Sequence, residues 1–336
     1  MPSKSNYNLI YEFAVATAIV FGTLFCAFPS EGLFFKWWEE HTFLIMLAFL
    51  ATGLLFFIVN SKRLMLVSFT ACAGLCLLLN DRTQTPLKNA EQTSDALIRI
   101  AQFSLNERGD YAMTTELMAM FNTQADLISV QEIPTDSLDA VNNFFACCGY
   151  PFFQCVTDTV SELSMVIYSR YSFEFVRDLH FPEAPGVIGK IELPVEGASP
   201  SQFYFFNSYF RPSYDEEAYN KTRKNLQFFA QELRRINSPL LVFGDYHIVS
   251  WSKDLQDFRE TSRLQDSRRG ITPTSPHGYI SFWDYPFDHI FYSNHFKCIS
   301  FETISSVSTT HLGIVGTYQF KNQDQRKDVK QTSQEL

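Results

Sequence analysis

The chain has 336 residues, 46% of them hydrophobic, with 34 phenylalanines and a formal net charge of −9. That length allows one or two domains, and the apolar content is ample for a sizeable core. The acidic balance argues against bulk nucleic-acid binding, which needs Lys and Arg to neutralise phosphates, but not against a small phosphate-bearing substrate held through a metal ion.

Three apolar runs crowd into the N-terminal end, about residues 9–28, 42–59 and 64–79. A bilayer core of ~30 Å needs roughly 20 helical residues, so these runs predict about three transmembrane helices within residues 1–80. A cleaved signal peptide would account for the first run alone. Trp37 and Trp38 suit an aromatic belt at the membrane–water interface. The first loop, SEGLFFKWWEEH, is mostly acidic, whereas the second carries Lys62 and Arg63. Cationic loops favour the cytoplasm. The expected topology therefore puts the N-terminus inside and everything after Leu79 outside, on the periplasmic face of a bacterial inner membrane. Lipid bilayer contact through these helices, and membrane-protein partners, are expected.

Residues 81–95 are polar and contain a proline, as a linker does. Residues 96–320 form the expected soluble domain, and 321–336 read as a disordered polar tail. Cys26, Cys72 and Cys76 lie in the apolar spans as packing residues. Cys147, Cys148 and Cys155 lack metal-ligand spacing, and a disulfide from Cys155 to either neighbour stays open.

Strands and helices alternate through the domain. ALIRIAQFSL, DLISVQEI, SMVIYSR, FYFFNSYF, LLVFGD, FDHIFYS and GIVGTYQF read as strands. Helices are expected at MTTELMAMFN, at DSLDAVNNFFACC, and at AYNKTRKNLQFFAQELRRI, where Leu226, Phe229, Leu233 and Ile236 make one apolar face. Interleaving of this kind indicates an α/β fold with helices covering sheets. Polar side chains recur where apolar strands stop: Glu132, Tyr209, Asp245 with His247, Asp288, and His311 ahead of the last strand. Taken singly, each has an ordinary structural reading. Five such endings in order point to one rim of a sheet.

In that order the blocks DLISVQEI, SMVIYSR, NSYFRPS, LLVFGDYH, FDHIFYS and TTHLGIVG resemble those of the exonuclease/endonuclease/phosphatase family, which includes deoxyribonuclease I, AP endonucleases, sphingomyelinases and inositol polyphosphate phosphatases. The resemblance implies a four-layer α/β sandwich of two packed β-sheets with outer helices. It also implies phosphoester hydrolysis with Mg²⁺ or Mn²⁺. By position it makes Glu132 the metal ligand, Tyr209 a phosphate-side group and Asp245 the residue that orients or deprotonates water. Asp288 becomes the partner of the general histidine, His311. Three positions depart from the pattern. Ser104 stands where the family has Asn, with Asn106 reachable only through a bulge; His247 stands for the Asn of Gly-Asp-x-Asn; Thr310 stands for an Asp. Ser104 and Thr310 are retained as substrate-side residues and His247 as a hydrogen-bond donor. These substitutions point to an attenuated membrane-anchored hydrolase, or else to a degenerate member serving as a binding or assembly module. The aromatic stretch HGYISFWDYP, with Tyr279, Phe282, Trp283 and Tyr285, is a candidate lipid-facing loop.

Overall fold

The computed structural model of the chain describes residues 4–83, 97–105, 110–158, 163–181, 184–194, 201–268, 285–305 and 312–321. The chain forms two compact units: Met1–Gln84 with Ser213–Asn220 and Ile248–Gln256, and the remainder.

The first unit is built on four helices, α1 (Lys4–Ala27), α2 (Leu33–Glu40), α3 (Thr42–Ile58) and α4 (Lys62–Thr83). Leu9–Ala27 and Lys62–Thr83 are each long and apolar enough to cross a membrane. A third span arises if α2 and α3, bent by 59° at their junction, count as one. Alone, the 17 residues of α3 reach only about 25 Å. The expected first loop therefore contains a helix, and the expected linker starts late, since Asn80–Thr83 are still helical. Ile19, Phe56, Leu64 and Ala71 pack together inside, while Phe13, Phe57, Ile58, Leu66 and Leu77 are exposed. Large apolar side chains on the outside of apolar helices suit a lipid surrounding.

In the second unit two six-stranded mixed sheets pack face to face. One has the order β11-β12-β1-β2-β4-β3, from β1 (Leu97–Ser104), β2 (Leu127–Pro134), β3 (Phe152–Asp158), β4 (Leu163–Ser169), β11 (Phe296–Ser305) and β12 (Leu312–Phe320). The other has the order β5-β6-β7-β8-β10-β9, from β5 (Phe173–Phe181), β6 (Ala184–Leu193), β7 (Ser201–Ser208), β8 (Leu240–Asp245), β9 (Gln265–Asp266) and β10 (Asp288–Tyr292). Ile98, Ile100, Leu127, Ile167, Phe203, Phe205, Leu241, Phe243 and Ile290 fill the space between the sheets. Against the outer face of the first sheet, Leu117 and Met120 of α5 (Asp110–Asn122) and Val141 and Phe145 of α6 (Leu138–Cys147) pack on Ile128, Val130 and Val166. Outside the second sheet, Phe229 of α7 (Glu216–Arg234) meets Phe206, and Phe258 of α8 (Lys253–Ser262) meets Phe291. The fold is the four-layer α/β sandwich expected. All seven cysteines are free, so neither candidate disulfide forms.

Candidate active site

Side chains alternate between the faces of a strand, so the residue two beyond a core position shares its face. Ile98 and Ile100 lead along β1 to Ser104; Leu127 leads along β2 to Gln131; Phe203 and Phe205 lead along β7 to Asn207 and Tyr209. Leu241 and Phe243 lead to Asp245 on β8, and Ile290 leads back to Asp288 on β10. The same periodicity that builds the inter-sheet core thus delivers a row of polar groups to its rim.

One residue needs a further device. The β2–β4 register shifts between Val130 and Ile133, and Glu132 sits there with φ 57. A bulge re-aims a side chain that regular alternation would turn to the opposite face. The Glu132 carboxylate (Oε1) accepts a 2.8 Å hydrogen bond from the Tyr209 hydroxyl. Gln131, fully buried, bridges the sheets. Its Nε2 donates to Asn207 Oδ1 (2.8 Å) and to the Ser208 carbonyl (3.0 Å), and its Oε1 accepts the Asp245 N–H (3.0 Å). Asn207 in turn donates to Ser129.

At the end of β8 the chain turns sharply. Gly244 has φ 153, and a Cβ there would lie 1.8 Å from the Ser208 carbonyl oxygen, so only glycine fits. His247 adopts φ 47, a left-handed conformation in which Asn, Asp and His are enriched. Its backbone N–H donates to Asp245 Oδ1 (2.9 Å), and its Nδ1 lies 3.1 Å from the same oxygen. The ring stacks on Phe287 and meets Tyr209 edge-on at 5.6 Å. Burial by itself would lower the imidazole pKa. The Asp245 carboxylate, followed by Glu132 and Asp288, outweighs burial and holds it above 6.5. Asp288 lies directly opposite Asp245 in the β8–β10 ladder. Acids facing one another repel, so the rim attracts cations.

Sequence reading did not anticipate the support behind Asp288. Arg268, fully buried, donates from Nη2 to the Asp288 carbonyl at 2.6 Å, and its N–H donates to Asp266 Oδ1 at 2.8 Å. Burial lowers its pKa to about 10, against the opposing pull of Asp266 and Asp288. Nothing local in the sequence marks Arg268 as buried: it stands in the polar stretch LQDSRRG, and β9 is only two residues long.

Ser104 pairs with Gln131 in the β1–β2 register, next to Glu132. Its hydroxyl is buried and has no hydrogen-bond partner among the described residues. Among these residues no group of three or more His, Cys, Asp or Glu is placed to hold a metal ion. The donor set does not make a closed cage. It fits a hard ion held by one carboxylate and a hydroxyl, with waters and substrate oxygens completing the shell, as Mg²⁺ sites commonly are. The structure brings Glu132, Tyr209, Asp245 and His247 together, with Ser104 and Asp288 on neighbouring strand ends. Thr310, His311 and Asn106 lie outside the described residues, as do Tyr279, Phe282 and Trp283.

A family model described as the endonuclease/exonuclease/phosphatase family matches residues 101–308, well over half of the chain. Among solved structures, the human Nocturnin catalytic domain with bound sulfate superposes with a TM-score of 0.52 at 16% identity, covering 68% of this chain and 96% of that one. An endonuclease/exonuclease/phosphatase from Bacteroides vulgatus gives 0.53 at 13% identity, with 67% and 100% covered. ANGEL2, a 2′,3′-cyclic phosphatase in complex with adenosine-2′,3′-vanadate, gives 0.51 at 12%, with 71% and 100% covered. At such identities the likeness is one of fold. No curated protein matches the chain. On the strength of the family model, and of the two-sheet sandwich it predicts, the chain belongs to the endonuclease/exonuclease/phosphatase family.

Proposed function

We propose that the chain is a membrane-anchored, divalent-metal-dependent phosphoester hydrolase, a phosphodiesterase or phosphatase, attenuated by its substitutions. The observation that carries this reading is the meeting of the Glu132 carboxylate, the Tyr209 hydroxyl and the Asp245–His247 pair at one rim, from strands of both sheets. Glu132 would hold Mg²⁺ or Mn²⁺, with the Ser104 hydroxyl beside it. The ion, when bound, would supply positive charge against the phosphate. Tyr209 fixes the Glu132 carboxylate, and its single hydroxyl proton would turn to a phosphate oxygen only once that carboxylate is taken up by the ion. Asp245 is the base side of the site and would align a water for in-line attack. His247 presents its other ring nitrogen as a donor, in place of a neutral amide. Asp288 would orient His311, and Thr310 would leave the metal side one carboxylate short.

One observation favours a second reading, a non-catalytic binding module. The His247 imidazole already occupies an oxygen of Asp245 that a reacting water would need.

The full chain in detergent, screened on phosphomonoesters and phosphodiesters with and without Mg²⁺ and Mn²⁺, tests both. Ion-dependent turnover that Glu132→Ala abolishes is expected. Ser104→Asn, His247→Asn and Thr310→Asp together should raise Mg²⁺ affinity and turnover. Hydrolysis that survives Glu132→Ala would remove the assigned site. A triple variant that neither binds the ion nor turns over would favour the module.

A further inference from the structure

Two segments leave the rim immediately after its key residues. Ser213–Asn220 begins four residues beyond Tyr209, and Ile248–Gln256 begins directly after His247. Both belong to the same compact unit as α1–α4, and both are tied there through α2.

The ties are helix caps made in trans. The first N–H groups of a helix have no partner within it and carry partial positive charge, so a carboxylate placed there satisfies and stabilises them. Glu39, near the end of α2, does this for α8: its Oε1 accepts the Lys253 N–H at 2.6 Å. Glu216 returns the arrangement to α2: its Oε2 accepts the Leu33 N–H at 2.9 Å. The Trp251 indole donates to the Glu39 carbonyl at 2.7 Å. Arg82, in the last turn of α4, joins three elements. It donates to the Trp251 carbonyl (3.3 Å) and to the Ala27 carbonyl at the end of α1 (3.0 Å), and it lies 3.6 Å from Glu39 Oε1. Tyr219 donates to Asp254 at 3.0 Å, linking the two segments, and Lys36 of α2 lies over its ring.

Glu39 and Trp251 are almost wholly buried. A buried polar group with this many directed partners fixes geometry more than it adds stability. His247 is held in a left-handed conformation only four residues before Trp251. Such a conformation persists where the surrounding chain over-determines it.

We infer that α2 is a clamp on the two segments that continue the chain from Tyr209 and His247. Glu39, Glu216 and Arg82 are positioning residues that hold the segments following Tyr209 and His247, and through them the aim of those two side chains. This rests on the reading of Tyr209, Asp245 and His247 as site residues. It implies that the N-terminal helices set the state of the site as well as anchoring the chain.

The test uses the full chain in nanodiscs, read by hydrogen exchange. Glu39→Ala should speed amide exchange in residues 247–255 by about tenfold while residues 127–131 of β2 keep their protection. Glu39→Gln keeps the acceptor for Lys253 and should restore most of that protection. Arg82→Lys, which keeps the charge but loses the three-way fork, should show the same local loosening as Glu39→Ala. In the phosphoesterase assay the loosened variants should lose kcat with KM little changed, and Glu39→Gln should recover it. Exchange in 247–255 that stays at the native rate in Glu39→Ala and Arg82→Lys would overturn the clamp. So would faster exchange spread evenly over both sheets. If no variant, native included, hydrolyses any substrate, the hydrolase reading fails, and the exchange pattern still decides whether α2 holds these segments.

Discussion

The rim's chemistry turns on a few side chains whose partners are other rim residues. Tyr209 donates to a carboxylate, and hydrogen bonds to charged groups are worth about 1.5–3 kcal/mol. Tyr209→Phe should therefore lower stability by about 2 kcal/mol in denaturant titration and leave Glu132 less ordered. His247 makes a prediction of opposite kind. Burial lowers its pKa, but Asp245, Glu132 and Asp288 raise it further, so the folded value exceeds 6.5. A base with a raised folded pKa contributes stability that is fully present below the unfolded pKa and lost as pH rises through the folded one. Thermal midpoints of the native chain should fall from pH 6.5 upward relative to His247→Asn. Parallel pH curves for the two would show that no imidazolium–carboxylate pair contributes. Of the rim residues, Glu132, Tyr209, Asp245, His247 and Asp288 were legible because each closes, follows or opens an apolar run. Gln131 stood in a quoted block with no role attached, since its partners lie far off in sequence.

At the scale of elements, the strand ends work as tightly toleranced parts. Gly244 faces a carbonyl oxygen at a distance no Cβ can accept, and its φ disfavours any L side chain. Gly244→Ala should cost about 3 kcal/mol or more and shift the Asp245 turn, read by denaturant midpoint. Gln131→Leu fills similar space but strands the Asp245 N–H, Asn207 Oδ1 and the Ser208 carbonyl between the sheets. At about 1–3 kcal/mol for each buried group left unsatisfied, it should cost more than Tyr209→Phe. Central strands with continuous apolar runs announced themselves in the sequence. The edge strands β3 and β5 did not, because half-exposed edges mix polar with apolar residues. β6, APGVIGKIEL, hides behind one proline and two glycines. Helix α8, KDLQDFRETS, is too polar to show an apolar face, and packing of Leu255 and Phe258 decides it.

For the whole molecule, apolar helices with outward-facing Phe, Leu and Ile predict that the full chain stays in the membrane fraction through an alkaline carbonate wash. Release into the supernatant would exclude the spans. The basic second loop and acidic first loop predict an extracytoplasmic α/β unit. Because α4 continues to Thr83, a reporter belongs after that residue rather than after Leu79. Cytoplasmic reporter activity there would reverse the topology and reopen an intracellular substrate.

By itself the sequence determined the class and order of the principal elements, the apolar N-terminal helices and the family blocks. Those properties are local: a period of two or 3.6, a run of apolar residues, or a residue type at the end of a strand. Only the tertiary structure decided that Glu132 reaches the rim through a bulge, that His247 turns onto Asp245, that Arg268 is buried behind Asp288, and that Glu39 of α2 caps α8, more than 200 residues on. Each of these is a choice of partner across long chain separations. Such choices are made when buried donors and acceptors must all find one another inside a closed core, and no window of neighbouring residues contains that constraint.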